Sequence, residues 1–228
     1  MKPDKTLNLT DPLERQQDHG LDNLQGCTPF DPPSAKEQAI VDDVAQLDFP
    51  VIISQLFEEH KFALSNTEMF EQALVQFREN NYTHTDQSNQ VFAHFFRYFD
   101  AHLMAHNEKE DKVLFPILEK YLLKHGEHST AEIPTTAIDI MQDDHIRFIQ
   151  LGALSFNLFG LATRLRDEAS RIFVHEQAYH AARELIELLK LHIYREDHTL
   201  FPLALKYISQ TEFDEMELQS RRFVTSNY

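Results

Sequence analysis

Apolar residues recur every three or four positions along most of the chain after Pro50, which is the spacing of amphipathic α-helices. In the first such segment, VIISQLFEEHKFAL, the inward face includes His60 at an otherwise apolar position. The pattern predicts a helix that runs to Glu79 and ends at Asn80-Asn81. Ser65-Asn66-Thr67 can interrupt this helix, because such residues favour caps over helix interiors.

Three further long helices are predicted over residues of about 87–124, 136–168 and 171–209. Gly126 provides the end of the first of them, and the charged segment RDEAS separates the other two. TEFDEMELQSRRF adds a short C-terminal helix. Long helices with short connections predict an all-α fold, an antiparallel up-down-up-down four-helix bundle.

The first 33 residues differ in composition: they are mostly polar and are interrupted by proline and glycine. They predict a flexible N-terminal arm. Ser34 and Glu37 then form a capping-box pattern, which predicts a short helix over about 35–47. The domain organisation is therefore an arm, 1–33, followed by one helical domain, 34–228, whose bundle core covers 50–209.

The chain contains an internal repeat. HNEKEDKVLFP at 106–116 returns as HIYREDHTLFP at 192–202, a shift of 86 residues. A shift of 85 residues also matches EEH at 58–60 with DDH at 143–145. Each half is therefore predicted to be one helical hairpin that carries an equivalent set of polar residues.

Each copy of this motif places a histidine and a glutamate four residues apart, on one helix face and among apolar neighbours. A buried carboxylate needs a partner, and a metal ion is a fitting one when an imidazole lies beside it. Equal chain lengths out to each turn and back put one histidine of every helix at one level. The predicted dinuclear metal ligands are His60, His106, Glu110, His145, His192 and Glu196.

Composition narrows the function further. The 228 residues carry a net charge of −16, which disfavours nucleic acid and anionic membranes as partners. No apolar run is long enough to span a bilayer, and the N-terminus lacks the pattern of a signal peptide. The single cysteine, Cys27, fits a reducing compartment, so we expect a cytoplasmic protein.

The ligand set and its motifs resemble the hemerythrin-like (HHE cation-binding) domain family, over residues of about 50–209. The family has one histidine on its first helix, then H-x-x-x-E followed by L-F-P, with both repeated. The resemblance implies a non-haem di-iron site, with histidines at the ends and carboxylates that bridge the two iron ions. Oxygen-carrying hemerythrins have a further histidine where this chain has Ile149, and an H-x-x-x-x-D motif that His192 and Asp197 could imitate.

The pattern of four histidines and two glutamates is more similar to iron-centre repair proteins, which act under nitrosative and oxidative stress. Those proteins usually carry an N-terminal cysteine pair, whereas this chain has Cys27 alone. Mixed imidazole and carboxylate ligation suits iron, and also manganese or zinc. Six ligands for two ions leave room for an oxo or hydroxo bridge and for a small ligand: O2, NO or peroxide.

Other histidines are expected to lie outside the site. His102 shares a face with His106, but its counterpart in the repeat is Leu188. His94 and His180 are expected to be packing or surface residues, and His84 lies near the turn. Asp111 and Asp197 either orient ligand histidines or are solvated, and the sequence leaves both readings open. The phenylalanine-rich faces are interpreted as core.

Two functional classes follow from these residues. The protein is expected to be a di-iron binding, sensing or repair protein that interacts with O2 or NO. The alternative is a di-iron oxidase or peroxidase-like enzyme acting on a small oxidant. A helical interaction module with a purely structural metal is a third reading. The oligomeric state is not indicated by the sequence.

Overall fold

The computed structural model describes residues 49–223, and the regular elements in this range are all helical. There are five helices: α1 (Val51–Glu79), α2 (residues 86–125), α3 (Ala137–Ala162), α4 (residues 168–207) and α5 (Gln210–Ser220). A 3₁₀ turn follows at Arg221–Phe223. The all-α prediction is confirmed for this range. The predicted arm, the helix at 35–47 and Cys27 lie outside the described residues.

Helix α1 is continuous, so the predicted interruption at Ser65-Asn66-Thr67 is wrong. The reason lies in the partners of Asn66, whose side chain is buried. Its Nδ2 donates to the carbonyl of Phe62 at 2.8 Å, and its Oδ1 accepts from Nε2 of His94 at 2.8 Å. These two hydrogen bonds satisfy the buried amide inside the helix, so Asn66 does not end α1.

The predicted ends of the third and fourth helices need correction. Helix α3 ends at Ala162 instead of 168, and α4 begins at Glu168 instead of 171. The side chain of Asp167 accepts a hydrogen bond from the backbone N–H of Ser170 and so caps α4. The break therefore precedes most of RDEAS, because the aspartate in that segment starts a helix instead of interrupting one.

Two π-helical turns begin at the glutamates of the repeated motif, at Glu110–Leu114 and Glu196–Leu200. Each lies just before a proline, Pro116 or Pro202, which lacks an N–H and crowds the carbonyl four residues earlier. The backbone widens to i→i−5 hydrogen bonds, and the helix continues. Each proline is thus accommodated by a π turn inside one continuous helix.

The core consists of two apolar clusters separated by a polar layer. One cluster contains large buried side chains such as Phe70, Phe95 and Phe148, and the other contains Ile52, Leu118 and Phe201, among others. In each of α1 to α4, the segment between the two clusters carries the predicted ligands. The polar layer is therefore enclosed along the helix direction from both sides.

The helices that enclose this layer pack directly against one another. Helix α1 packs against the first part of α2 and against α4, and α3 packs along α4. Helix α5 lies against α1 and against the π turn of α2.

Within residues 49–223, no helix combines the length and apolarity needed to cross a membrane. Most phenylalanines in this range are core as predicted, but Phe62, Phe156 and Phe173 are 55 %, 57 % and 64 % exposed.

Candidate metal centre

The structure brings the six predicted ligand residues together in two groups that can each hold a metal ion. The first group is His60, His106, Glu110 and Glu196, and the second is His145, His192 and the same two glutamates. Within each group the ligand atoms all lie within 4.8 Å of one another, and all six side chains are buried. Because both groups share both carboxylates, the two candidate ion positions are adjacent.

The imidazoles approach each other in pairs at a spacing that suits a metal ion. Nε2 of His60 lies 3.0 Å from Nε2 of His106, and Nε2 of His145 lies 3.1 Å from Nε2 of His192. Two nitrogens about 2.1 Å from one ion, at about 90° to each other, lie about 3.0 Å apart. The histidine pairs therefore have the separation of neighbouring ligands on one ion.

The shared glutamates face both histidine pairs. Oε1 of Glu110 lies 3.3 Å from Nε2 of His106, and its Oε2 lies 3.5 Å from Nε2 of His145. Oε2 of Glu196 lies 3.2 Å from His60 and 3.3 Å from His192. Among residues 49–223 none of the four oxygens has a donor with hydrogen-bond geometry. Buried carboxylate oxygens of this kind fit a bound cation.

Each ligand histidine also contacts a carboxylate through its other nitrogen, Nδ1. We call these four acids the outer carboxylates. The Nδ1–oxygen distances are 2.6 Å for His60–Asp197, 2.6 Å for His106–Glu59, 3.2 Å for His145–Asp111 and 3.4 Å for His192–Asp144. In every case the acid comes from a different helix, and the contacts run from α1 to α4, α4 to α3, α3 to α2 and α2 to α1.

The outer carboxylates determine which nitrogen of each ring faces the centre. A carboxylate accepts the Nδ1–H proton, so the neutral imidazole keeps its lone pair on Nε2. All four Nε2 atoms point toward the two glutamates. Pairing of a ligand histidine with a carboxylate is a common support of metal sites, because it orients the ring and raises its basicity.

Two positively charged side chains each donate a hydrogen bond to one of the outer carboxylates. Lys109, which is only 5 % exposed, donates to Glu59, and Arg195 donates to Asp144 at 3.3 Å. Each of these cations directly precedes a ligand glutamate in the chain, so the arrangement follows the internal repeat. The repeat therefore extends beyond the ligands to the groups that support them.

The charges of these side chains indicate how much positive charge the buried carboxylates still require. The two shared glutamates and the four outer carboxylates bring six negative charges, and Lys109 and Arg195 neutralise two of them. The remaining four are balanced either by four protonated histidines or by two divalent ions with neutral histidines. Since uncompensated buried charge is costly, protons and metal ions are expected to compete for this site.

In the metal-free site, the pKa values of the ligand histidines agree with the first alternative, in which these histidines are protonated. Burial acts to lower the pKa of His60, but the hydrogen bond to Asp197 and the negative charge of Glu196, 3.2 Å away, outweigh it and raise the pKa to about 10. Burial likewise opposes the raised pKa of His145, which Asp111 and Glu110 bring to about 10. The pKa values of the other two ligand histidines are also raised.

The pKa values of the two shared glutamates shift in the opposite direction, downward. Burial and repulsion by Glu196 act to raise the pKa of Glu110, but the imidazoles of His106 and His145 lower it to about 2. The pKa of Glu196 is lowered well below its ordinary value, since His192 and His60 outweigh its burial. Both shared carboxylates are therefore ionised at neutral pH.

The structure decides the question that the sequence left open for Asp111 and Asp197, since both contact ligand histidines. Sequence reasoning missed Glu59 and Asp144, which do the same for the other two. The signal was present in the EEH and DDH segments, where each acid directly precedes a ligand histidine. It was missed because each acid contacts the histidine of a neighbouring helix instead of its own neighbour in sequence.

Within residues 49–223 the other histidines lie outside both groups, as expected for His84, His94, His102 and His180. His102 is exposed and stacks on Tyr98, with ring centroids 5.6 Å apart. His180 pairs with Glu176, and His84 contacts Asn89. His94, as described above, contacts Asn66.

Ile149, the residue that the resemblance aligns with a further histidine, is 55 % exposed and does not face the centre. The α3 side chain that packs on the ligands at this level is Phe148, whose ring contacts His192 edge-on at 4.9 Å.

Comparison with models of known protein families, with curated proteins and with solved structures finds no match to this chain.

Proposed function

We propose that this chain is a non-haem di-iron protein of the hemerythrin-like type, in which an antiparallel up-down-up-down four-helix bundle holds two iron ions. The proposed ligands are His60 and His106 for one ion, His145 and His192 for the other, and two bridging carboxylates. Its proposed role is to interact with O2 or NO, or to handle iron, under oxidative or nitrosative stress.

One observation carries this proposal: two pairs of buried histidines share the same two buried glutamates. A structural zinc site would need one closed set of four ligands. Here the four histidines are divided evenly between two positions that share both glutamates, so each position has two nitrogens and two carboxylate groups. Sharing of carboxylates between adjacent ions is the arrangement of di-iron bundle proteins.

Mixed nitrogen and oxygen ligands suit iron, and manganese and zinc also accept them. Bound iron would supply electron-transfer chemistry toward O2, NO or peroxide. The chain's own contribution is to orient the ligands and to exclude bulk water. Phe201 stacks on His60 at 5.4 Å and Phe115 stacks on His145 at 5.7 Å, each from an L-F-P segment. With such rings on the ligands, the site favours small reactants over large substrates.

Metal analysis of the full chain tests the proposal directly. Protein purified after expression in iron-supplemented medium should contain about two metal ions per chain, with iron predominant, and should show ferric absorption in the near ultraviolet. Saturation at one ion, or the absence of bound metal after reconstitution, would contradict it. Steady-state consumption of O2 or peroxide by the iron-loaded protein would favour the alternative, a di-iron oxidase or peroxidase-like enzyme.

A further inference from the structure

Helix α3 exposes an apolar stripe on the side that faces away from the metal centre. The stripe, which we call the α3 seam, consists of Ile146, Ile149, Ala153, Phe156 and Gly160. Ile146 and Ile149 are each 55 % exposed, and Phe156 is 57 % exposed. Residues three and four positions apart alternate along it, which is the spacing of the contact positions in a coiled coil. Single exposed apolar residues are ordinary, but a continuous stripe marks an interaction surface.

The internal packing of the chain does not account for the small residue in this stripe. Among the residues that the structure describes, a Cβ atom added at Gly160 would meet no atom within 4 Å, so their packing does not require glycine there. A glycine inside a helix destabilises it by roughly 0.5–1 kcal/mol relative to alanine. A partner that approaches closely at this point gives the small residue a physical reason.

The charge distribution indicates what kind of partner fits. Residues 148–163, FIQLGALSFNLFGLAT, contain no charged side chain, although 25 % of the whole chain is charged and its net charge is −16. A basic partner would be drawn to the acidic surfaces elsewhere. An uncharged apolar stripe, by contrast, allows two equally acidic molecules to meet without bringing like charges into contact.

We propose that two copies of this chain associate through the α3 seam, with the two α3 helices antiparallel and a two-fold axis beside Ala153. This orientation is favoured because it sets a large residue against a small one at both ends of the seam. Ile146 of one copy faces Gly160 of the other, Ile149 faces Phe156, and Ala153 faces its own counterpart. Such self-complementarity is what a two-fold interface requires. A parallel pair would instead set Ile146 against Ile146 and leave a gap between the glycines.

The seam is about 21 Å long, from 14 steps of about 1.5 Å each. One helix pair of this length buries less than the roughly 800 Å² per partner of a standard stable interface. We therefore expect the dimer to be weak and reversible. Its formation does not depend on the proposed metal chemistry, because the seam and the ligands occupy different faces of α3.

Cysteine cross-linking tests both the contact and its orientation. In a Cys27→Ser background, which removes the only cysteine, Ala153→Cys should form a disulfide-linked dimer under mild oxidation. Ile146→Cys should not, because the two copies of residue 146 lie about 21 Å apart in the antiparallel pair. Leu154→Cys, also exposed on α3 but off the seam, should not cross-link either. Equal cross-linking of all three, or cross-linking at 146 and 153 alike, overturns the proposed pairing.

Sedimentation velocity of the full chain over a range of concentrations provides the second test. The wild type should show a reversible monomer–dimer equilibrium, and Ile149→Asp should weaken it at least tenfold. Leu154→Asp, the matched off-seam control, should leave it unchanged, and circular dichroism should show equal helicity in both variants. A chain that is monomeric at all concentrations, as it would be if residues 1–48 of the same molecule covered the seam, refutes the proposal. A dimer insensitive to Ile149→Asp refutes it as well.

Discussion

The Nε2 atoms of His60 and His106 lie 3.0 Å apart, although the Nδ1 atom of each ring is already engaged by a carboxylate. Two lone pairs, or two N–H protons, repel each other at this distance. One shared proton relieves the repulsion, and so does a metal ion. A metal ion would at the same time bind the glutamate oxygens that lie 3.2–3.5 Å from these and the equivalent nitrogens.

The bridging glutamates provide the first prediction. Because both histidine pairs share them, Glu110→Ala and Glu196→Ala should each reduce bound metal from about two ions per chain to one or fewer. The measurement is metal content after reconstitution and removal of loosely bound ions. His102→Ala and His84→Ala are the controls, and both should retain the wild-type content. A loss with His102→Ala as large as with His106→Ala would show that the site is misassigned.

The outer carboxylates should act on metal affinity through the histidines that they orient. We expect Glu59→Ala and Asp144→Ala to weaken metal binding by about 10- to 100-fold. Competition with a chelator of known affinity measures the change, and circular dichroism checks that the fold is retained. Glu58→Ala and Asp143→Ala are matched controls, since each removes the exposed acid one position earlier. Equal losses in the variants and their controls would indicate a general charge effect.

Metal binding should release protons. Since the pKa values of all four ligand histidines are raised, the metal-free site holds extra protons that the metal must displace. Titration of the metal-free protein with Zn²⁺ at pH 7 in weak buffer should release about two to four protons per chain. Four histidines of ordinary pKa would release about one in total. A release of one proton or fewer would contradict the proposed charge balance.

Stability of the metal-free protein should fall in alkaline solution. A histidine whose pKa rises from 6.5 to about 10 on folding, such as His60, stabilises the fold below pH 6.5, and this contribution is lost as the pH rises toward 10. We expect the free energy of unfolding to drop by on the order of several kcal/mol between about pH 6.5 and 9.5. Urea denaturation at both pH values measures it.

The zinc-loaded protein serves as the comparison for this experiment. Its ligand histidines are neutral at both pH values, so their contribution to the pH dependence should disappear. A metal-free protein with the same unfolding midpoint at pH 6.5 and 9.5 would show that the histidines do not hold these protons. At the acid end, Glu110 adds stability above pH 4.5 that is lost as the pH falls toward 2.

We expect no reversible oxygen carriage. Each proposed ion has only two histidines, and on α3 the apolar ring of Phe148 packs against His192 while Ile149 points to solvent. The reduced, iron-loaded protein mixed with O2 should therefore pass irreversibly to the diferric state, as followed by absorption. NO should bind the reduced form, because binding needs only one vacant position. An oxygen adduct that reverses under vacuum would show that another side chain completes the coordination.

Much of the site could be predicted because its determinants are local. A rise of about 1.5 Å per residue and the i, i+4 spacing relate residues of one helix, and equal lengths on either side of a turn relate two helices. The doubled motif then identified the six ligand residues. The sequence shows Pro116 and Pro202 inside the predicted helices, but the π turn before each one depends on how the whole helix is packed.

The sequence by itself therefore determined the helices and the residues that converge at one level. Only the tertiary structure decided which outward-facing acid meets which histidine, as for Glu59 with His106 and Asp144 with His192. It also decided that Ile149 and Phe156 face solvent instead of the core. These relationships depend on the rotation of each helix about its axis relative to its neighbours. Packing of all the helices sets that rotation, whereas the periodicity of one helix identifies its apolar positions without showing what lies against them.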